Sequence, residues 1–257
     1  MVILDFILYL ETAKKVIIVC GYSGYYIHYM MLLMVKLEFI YVVVTVNDLL
    51  KAINRGLEKI LYQLNLQLST KDKLKMPMSI RNTNTLSNYA VLADTESIHR
   101  LALAYNETCS VLKQVDDTYG PILFLLILLK FVHLIVTPFY LTLAIVNMDI
   151  NVLSAVVMLL WLVYHQSDLI STIEPCHRTL CYAQETRILI GKLLNKVSYQ
   201  NPMHKELDSF SKQVILNACG YTILGLADIG RPLITSIVGV VATNLIIIIQ
   251  FQIQSRS

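Results

Sequence analysis

The sequence predicts an all-α fold, a polytopic bundle of membrane helices with cytoplasmic helical extensions and an extracellular C-terminus. Composition is the first reason, because hydrophobic residues make up 56% of the 257 and charged residues only 15%, with a mean hydropathy of +0.59. A soluble domain carries about 25% charged residues. The apolar residues also form continuous runs of about 20, which is the length that crosses a bilayer as a helix. Continuous rather than alternating runs exclude a transmembrane barrel.

The apolar runs and the breaks between them assign a role to each segment. The predicted segments are 1–21, a remnant of an earlier span; 22–46, a span; 47–119, a cytoplasmic helical connection; 120–146, a span; 147–151, a short extracellular loop; 152–170, a span; 171–213, a second cytoplasmic helical connection; 214–232, an inner helix and a break; 233–252, the last span; and 253–257, an extracellular tail. Gly230 and Pro232 mark the break, since Gly and Pro stop helices. No signal peptide is recognisable at Met1, and the chain is expected to begin within a membrane segment.

Basic residues set the orientation of these spans. Segment 47–119 holds nine Lys or Arg and segment 171–213 holds six, whereas 147–151 holds none. The positive-inside rule therefore places both long connections in the cytoplasm. It applies most directly to Lys51, Arg55 and Lys113, which lie near span ends. The C-terminus is then extracellular, the opposite of seven-span receptors that couple to G proteins.

The two long connections carry helical patterns of their own. Apolar residues recur at spacings of three and four, namely Leu50, Ile53, Leu57, Ile60, Leu61 and Leu64, with a looser repeat at Ile98, Leu101, Tyr105, Leu112 and Val115. A third helical pattern consists of Leu180, Ala183, Arg187, Ile190 and Leu194. Such faces seek burial. We therefore expect the helices to pack into a cytoplasmic bundle rather than stand as separate solvated extensions.

No pattern of catalytic or cofactor-binding residues is present. The sequence has no nucleophile elbow, zinc-protease motif or phosphate loop, and its six histidines are scattered. The five cysteines show no disulfide framework, and Cys176 and Cys181 fit ordinary thiols better than a metal site. We therefore expect no enzyme, no cofactor and no metal. A net charge of +3 is too small to suggest nucleic-acid binding.

Three charged residues interrupt the first two of these spans, and Asp168 lies near the polar inner end of the span 152–170. Lys36 and Glu38 lie in the first clear span and Lys130 lies in the next. Intramembrane charges are expected to be paired or to face water. We predict an interhelical pair of Glu38 with Lys130; the alternative is that these side chains extend to the membrane surface.

The last span carries the strongest local signal. Thr243, Ile247 and Gln250 lie at positions i, i+4 and i+7, so they share one helix face. An apolar face with one amide near its outer end suits a narrow pore that is dry when closed and wetted when open. The alternative is that Gln250 simply meets the membrane interface as the helix leaves the bilayer.

In this last span the sequence resembles the insect gustatory receptors. The signature of their last span is Thr-Tyr, five mostly apolar residues and Gln-Phe; here Thr243 is followed by Leu245 to Ile249 and then Gln250-Phe251. Asn244 stands where the family has Tyr. Two further stretches, 217–221 and 46–50, are similar to those that precede the last span and end the fourth span. The resemblance covers the chain from about the third span onward, with the first two spans missing.

The resemblance implies a homo- or heterotetrameric cation channel whose last spans line a central pore. Gln250 and Phe251 would then lie at or near the gate, with Thr243 and Ile247 facing the pore. Small-molecule tastants bind within the outer half of each subunit in this family. The outer ends here offer Tyr25, Tyr26, Tyr29, Phe139 and Tyr140. Aromatics suit small organic ligands, although an aromatic belt at the membrane interface is the alternative.

The ligand class and two competing functions stay open. Sugar-sensing members usually have an acidic residue directly after the Tyr of the signature, where Leu245 stands, so a bitter-type or orphan receptor is expected. A related odorant receptor has the same architecture without the signature, and Asn244 keeps it as an alternative. A membrane transporter is the second alternative, although this sequence shows no recognisable internal inverted repeats, which many transporters have.

Overall fold

A computed structural model describes residues 16–73, 83–146, 152–217, 219–223 and 227–254. In these residues the elements are α1 (Val16–Lys73), α2 (Thr83–Val146), α3 (Val152–Leu194), α4 (Pro202–Leu216), β1 (Thr222–Ile223), β2 (Ala227–Asp228) and α5 (Arg231–Gln254). The all-α prediction is confirmed, with two-residue strands as its minor exception. The predicted loop 147–151, the start of the predicted remnant and residues 255–257 lie outside the described residues.

Four of these helices, α1, α2, α3 and α5, are long and apolar enough to cross a membrane within the described part of the chain. The first three are longer than a bilayer requires, with 58, 64 and 43 residues. About 20 residues suffice for a crossing. Each of these helices therefore includes an apolar span and a more polar extension, with no loop where the polarity changes.

The chain divides into two compact units. The span unit comprises residues 1–41, 117–176 and 222–257, and the extension unit comprises residues 42–116 and 177–221. The span unit holds the apolar parts of α1, α2 and α3 together with all of α5. The extension unit holds the remaining parts of α1, α2 and α3 together with α4.

The extension unit has a well-buried core. Its fully buried side chains include residues of all three predicted helical patterns and of α4: Leu50, Leu57, Ile98, Tyr105, Ile190, Leu207 and Phe210. The rings of Tyr105 and Phe210 meet edge to face at 5.7 Å. Apolar spacing of three and four thus packs α1, α2, α3 and α4 against one another within this unit.

Buried polar side chains also join α1 to α3 in the extension unit. Thr179 donates to Asn47 at 2.7 Å, and Thr186 donates to Asn54 at 2.5 Å. Both pairs are 132 residues apart in sequence, so the two helices run in parallel with a constant register. Asn47 and Asn54 lie seven residues apart, which places them on one face of α1.

Cys109 of α2 and Cys219, just after α4, lie close enough for a disulfide, with Cα atoms 5.8 Å apart; in the cytoplasm, where we expect this unit, such a pair is kept as thiols. The spacing of the cysteines did not indicate this pair, because 110 residues separate the two in sequence. Asn217 supports the same junction by donating to Asn106 of α2 at 2.9 Å.

The predicted inner helix in segment 214–232 is corrected by the structure. Helix α4 ends at Leu216, and beyond it the strands β1 and β2 pair in antiparallel fashion, with Thr222 opposite Asp228. Gly220 contributes to this change, because glycine is a poor helix former. Its backbone packs close to Leu180, since a Cβ there would lie 2.9 Å from a methyl carbon at the flexible end of that side chain.

Candidate functional site

A buried ionic cluster joins the three spans of α1, α2 and α3. Asp168 of α3 accepts from Lys36 of α1 through Oδ1 and lies 2.9 Å from Lys130 Nζ of α2 through Oδ2. The three side chains are only 7–9% exposed. One carboxylate therefore binds two ammonium groups, one from each neighbouring helix.

Hydrogen bonds account for all three donors of each lysine. Lys36 also donates to the Asp168 carbonyl at 3.1 Å and to Ser171 Oγ at 2.9 Å. Lys130 reaches Tyr29 Oη at 3.1 Å and His165 Nδ1 at 3.4 Å. A lysine has three donors and no acceptor, so donation to His165 requires an unprotonated Nδ1. The cluster is thus saturated with hydrogen bonds but carries one excess positive charge.

Aromatic rings surround this charge. Lys130 Nζ lies 4.9 Å from the ring centre of Tyr29 and 5.5 Å from that of Tyr164, which are cation–π distances. His165 stacks between His133, at 4.5 Å, and Trp161, at 5.2 Å. The negative faces of Tyr29 and Tyr164 partly offset the excess charge, because the rings replace water as its solvent.

A cavity of about 20 Å³ opens beside the cluster. Its wall combines the ionic groups with apolar side chains: Tyr29, Leu32, Leu33, Lys36, Leu126, Leu129, Lys130, Tyr164 and Asp168. This volume holds about one water molecule. An organic ligand fits there only after the helices move apart, so the cluster is suited to hold the spans in one arrangement.

The structure corrects the predicted pairing of Glu38 with Lys130. Lys130 pairs with Asp168 instead, whereas Glu38 is exposed and hydrogen-bonds with Tyr119. Residues 36 and 38 lie about 200° apart around α1, so only one of them can face the cluster. Asp168 was recognisable in sequence as a polar residue near the inner end of its span.

The predicted ligand-binding aromatics occupy different environments. Tyr29 is buried in the cluster, where it meets Trp161 and Tyr164. Tyr26 is half-buried and lines an open apolar groove on α1. Phe139 is half-buried, Tyr140 is 54% exposed, and their rings lie 5.4 Å apart. The side chain of Tyr25 lies outside the described residues.

The predicted pore residues lie on the least buried helix of the span unit. Only 6% of the apolar segment of α5 is buried, compared with 28% for α1. Thr243, Ile247, Gln250 and Phe251 are all exposed. Thr243 donates to the Gly239 carbonyl at 2.9 Å, which satisfies its hydroxyl within the helix. Much of the surface of α5 is thus available to lipid, to water or to another subunit.

The family model described as "7tm Chemosensory receptor" matches residues 1–255. This chain belongs to that family. The receptor is accordingly a multi-pass membrane protein, in agreement with its four apolar helices of spanning length among the described residues. The resemblance noted in its last span therefore extends over nearly the whole chain.

Two curated proteins of Drosophila melanogaster are similar to this receptor. "Gustatory receptor for sugar taste 43a" is 25% identical over 138 residues, which cover 54% of this chain and 32% of that protein. A candidate gustatory receptor, 28a, is 24% identical over 161 residues, which cover 61% of this chain and 36% of that protein. The receptor therefore matches about a third of the length of these relatives.

Proposed function

We propose that this receptor is a gustatory-type subunit of a ligand-gated cation channel in the plasma membrane, with α5 lining the pore. The low burial of the apolar segment of α5 carries the proposal. A helix with 6% of its apolar segment buried stabilises little within one chain, so it calls for partners outside the chain. A homo- or heterotetramer supplies them by bringing four copies of this helix around one axis.

The pore face consists of Thr243, Ile247, Gln250 and Phe251. These side chains are exposed, and the first three share one face of α5. Ile247 and Phe251 supply an apolar constriction, and Gln250 supplies an amide that contacts permeating ions once water enters. A closed channel keeps this constriction dry.

The proposed ligand is a small organic tastant of bitter type rather than a sugar. Leu245 supports this class, because sugar-sensing members usually have an acidic residue at its position. One relative, 25% identical, is named for sugar taste and favours the opposite ligand class. Tyr25, Tyr26, Tyr29, Phe139 and Tyr140 stay our candidates for contact with the tastant, with Tyr29 joining them to the ionic cluster.

Whole-cell current tests the channel proposal. The chain is expressed alone and with a full-length gustatory receptor subunit, and the cells are exposed to caffeine, quinine, fructose and sucrose. We expect a cation current whose permeability ratio changes in Gln250→Ala. Gln252→Ala is the matched control, because position 252 lies about 200° further around α5.

Two results contradict the proposal. Equal effects of Gln250→Ala and Gln252→Ala on ion selectivity would remove Gln250 from the pore. Uptake of a radiolabelled compound by surface-expressed receptor without any current would instead favour a transporter.

A further inference from the structure

Arg231, the first residue of α5, forms a two-point contact with Glu174 of α3. Arg231 Nη2 donates to Glu174 Oε1 at 2.9 Å, and Arg231 Nε donates to Oε2 at 3.2 Å. Both residues belong to the span unit. The two N–H donors of the guanidinium match the two oxygens of the carboxylate, so the contact sets the relative orientation of the two side chains as well as their distance.

The position of Arg231 is unfavourable for the helix that it begins. The N-terminus of a helix is the positive end of its dipole, where acidic residues stabilise and basic residues destabilise. No acidic residue occupies the first turn of α5. Helix stability thus does not account for this arginine, whereas neutralisation by Glu174 does. Departures from local rules of this kind concentrate at functional sites.

One end of the contact lies beside a proline within α3, and the other lies at the start of α5. Glu174 is followed by Pro175 within α3, and a proline there removes one backbone hydrogen bond and favours a bend. Arg231 lies three residues after Asp228, the end of β2, and directly precedes Pro232. Asp168, the centre of the ionic cluster, lies six residues before Glu174 on the same helix. The contact therefore links the helix of the cluster to the start of α5.

We propose that the Glu174–Arg231 contact is a gating latch, which holds the start of the pore helix α5 against α3 in one of the two channel states. This inference rests on the proposed channel function and assigns the two residues a positioning role. Movement of α3 around its cluster reaches α5 through this contact.

The exposure of the pair limits the size of its effect. The Arg231 side chain is 63% exposed and that of Glu174 is 26% exposed. Exposed ion pairs contribute little to stability, so loss of the contact leaves the fold intact and changes the ratio of open to closed channels by about two- to fivefold. A change of this size is measurable as current.

The test is a double-mutant cycle on resting current and on activation by the same four compounds. The variants are Glu174→Gln, Arg231→Gln, the double neutral variant and the swap of Glu174→Arg with Arg231→Glu. We expect both single variants to shift the resting open fraction by about two- to fivefold in one direction, and the double to shift it no further. The swap should return the fraction toward wild type.

Two further variants serve as controls. Asp208→Asn breaks another exposed ion pair, with Lys212 at 2.7 Å in α4, and should leave gating unchanged. Arg231→Lys keeps the charge but loses the fork and should give an intermediate shift. If a neutral variant fails to reach the surface, Arg231→Lys and the swap decide the question.

Additive single effects, or single variants that gate like wild type at normal surface density, would overturn the latch. If Gln250→Ala alters the current while the latch variants do not, the latch proposal is wrong and the channel proposal is supported. If surface-expressed receptor conducts in no form, the channel proposal fails and the latch fails with it.

Discussion

At the residue scale, Asp168 is the side chain on which the span unit most depends. It is the shared partner of Lys36 and Lys130, and all three side chains are more than nine-tenths buried. Burial of a charge is costly unless partners replace water. Loss of the carboxylate should therefore destabilise the receptor more than loss of one lysine. Without Asp168, two buried ammonium groups repel each other. Without one lysine, the remaining pair is neutral.

We therefore predict that Asp168→Asn destabilises the receptor by about 3–5 kcal/mol and abolishes surface expression, because it leaves buried charges uncompensated. Lys36→Met and Lys130→Met should each be much milder. Combining all three substitutions should restore part of the expression. Surface biotinylation and thermal unfolding in detergent measure these effects. Wild-type behaviour of Asp168→Asn would show that the cluster does not hold the spans together.

At the element scale, the register of α1 and α3 in the extension unit depends on polar pairs. Asn54 is only 3% exposed and donates to Glu185 at 2.9 Å and to the Tyr182 carbonyl at 3.0 Å. It also accepts from Thr186. Apolar side chains tolerate several alignments, whereas a buried amide is satisfied in one only, so Asn54 specifies the alignment of the two helices.

Asn54→Ala should lower the free energy of unfolding by about 1–3 kcal/mol, because it removes a buried amide that makes three hydrogen bonds to α3. The neighbouring exposed residue offers a matched control, since Arg55→Ala should change stability by no more than about 0.5 kcal/mol. Thermal unfolding of the purified receptor compares the two. Equal effects would mean that the apolar core alone sets the helix alignment.

At the scale of the whole molecule, membrane orientation follows from charge. The extension unit includes most of the basic residues that direct the positive-inside rule, so we expect it in the cytoplasm and the C-terminus outside. A tag after Ser257 should be stained on intact cells, and a tag inserted after Lys75 only after permeabilisation.

Asn106, in the sequon Asn106-Glu107-Thr108, should stay unglycosylated, so Asn106→Gln should not change gel mobility. Reversed staining would invert this topology.

The sequence by itself determined the all-α class, the apolar runs of membrane-spanning length and the membership in a receptor family. These properties are local, since a bilayer demands about 20 apolar residues and a backbone that satisfies its own hydrogen bonds. The helical patterns around Leu50 and Ile98 likewise needed only their spacing. The exposed face with Thr243 and Gln250 was also evident from periodicity, although its place in a pore stays a prediction.

Only the tertiary structure decided which distant side chains meet. Glu38 and Asp168 were both available carboxylates, and the rotation of α1, which points Lys36 inward and Glu38 outward, selected Asp168. The Cys109–Cys219 and Glu174–Arg231 contacts join residues 110 and 57 positions apart. Helix periodicity states which residues share a face, but the partner of that face is set by packing, which minimises uncompensated buried charge across all helices together.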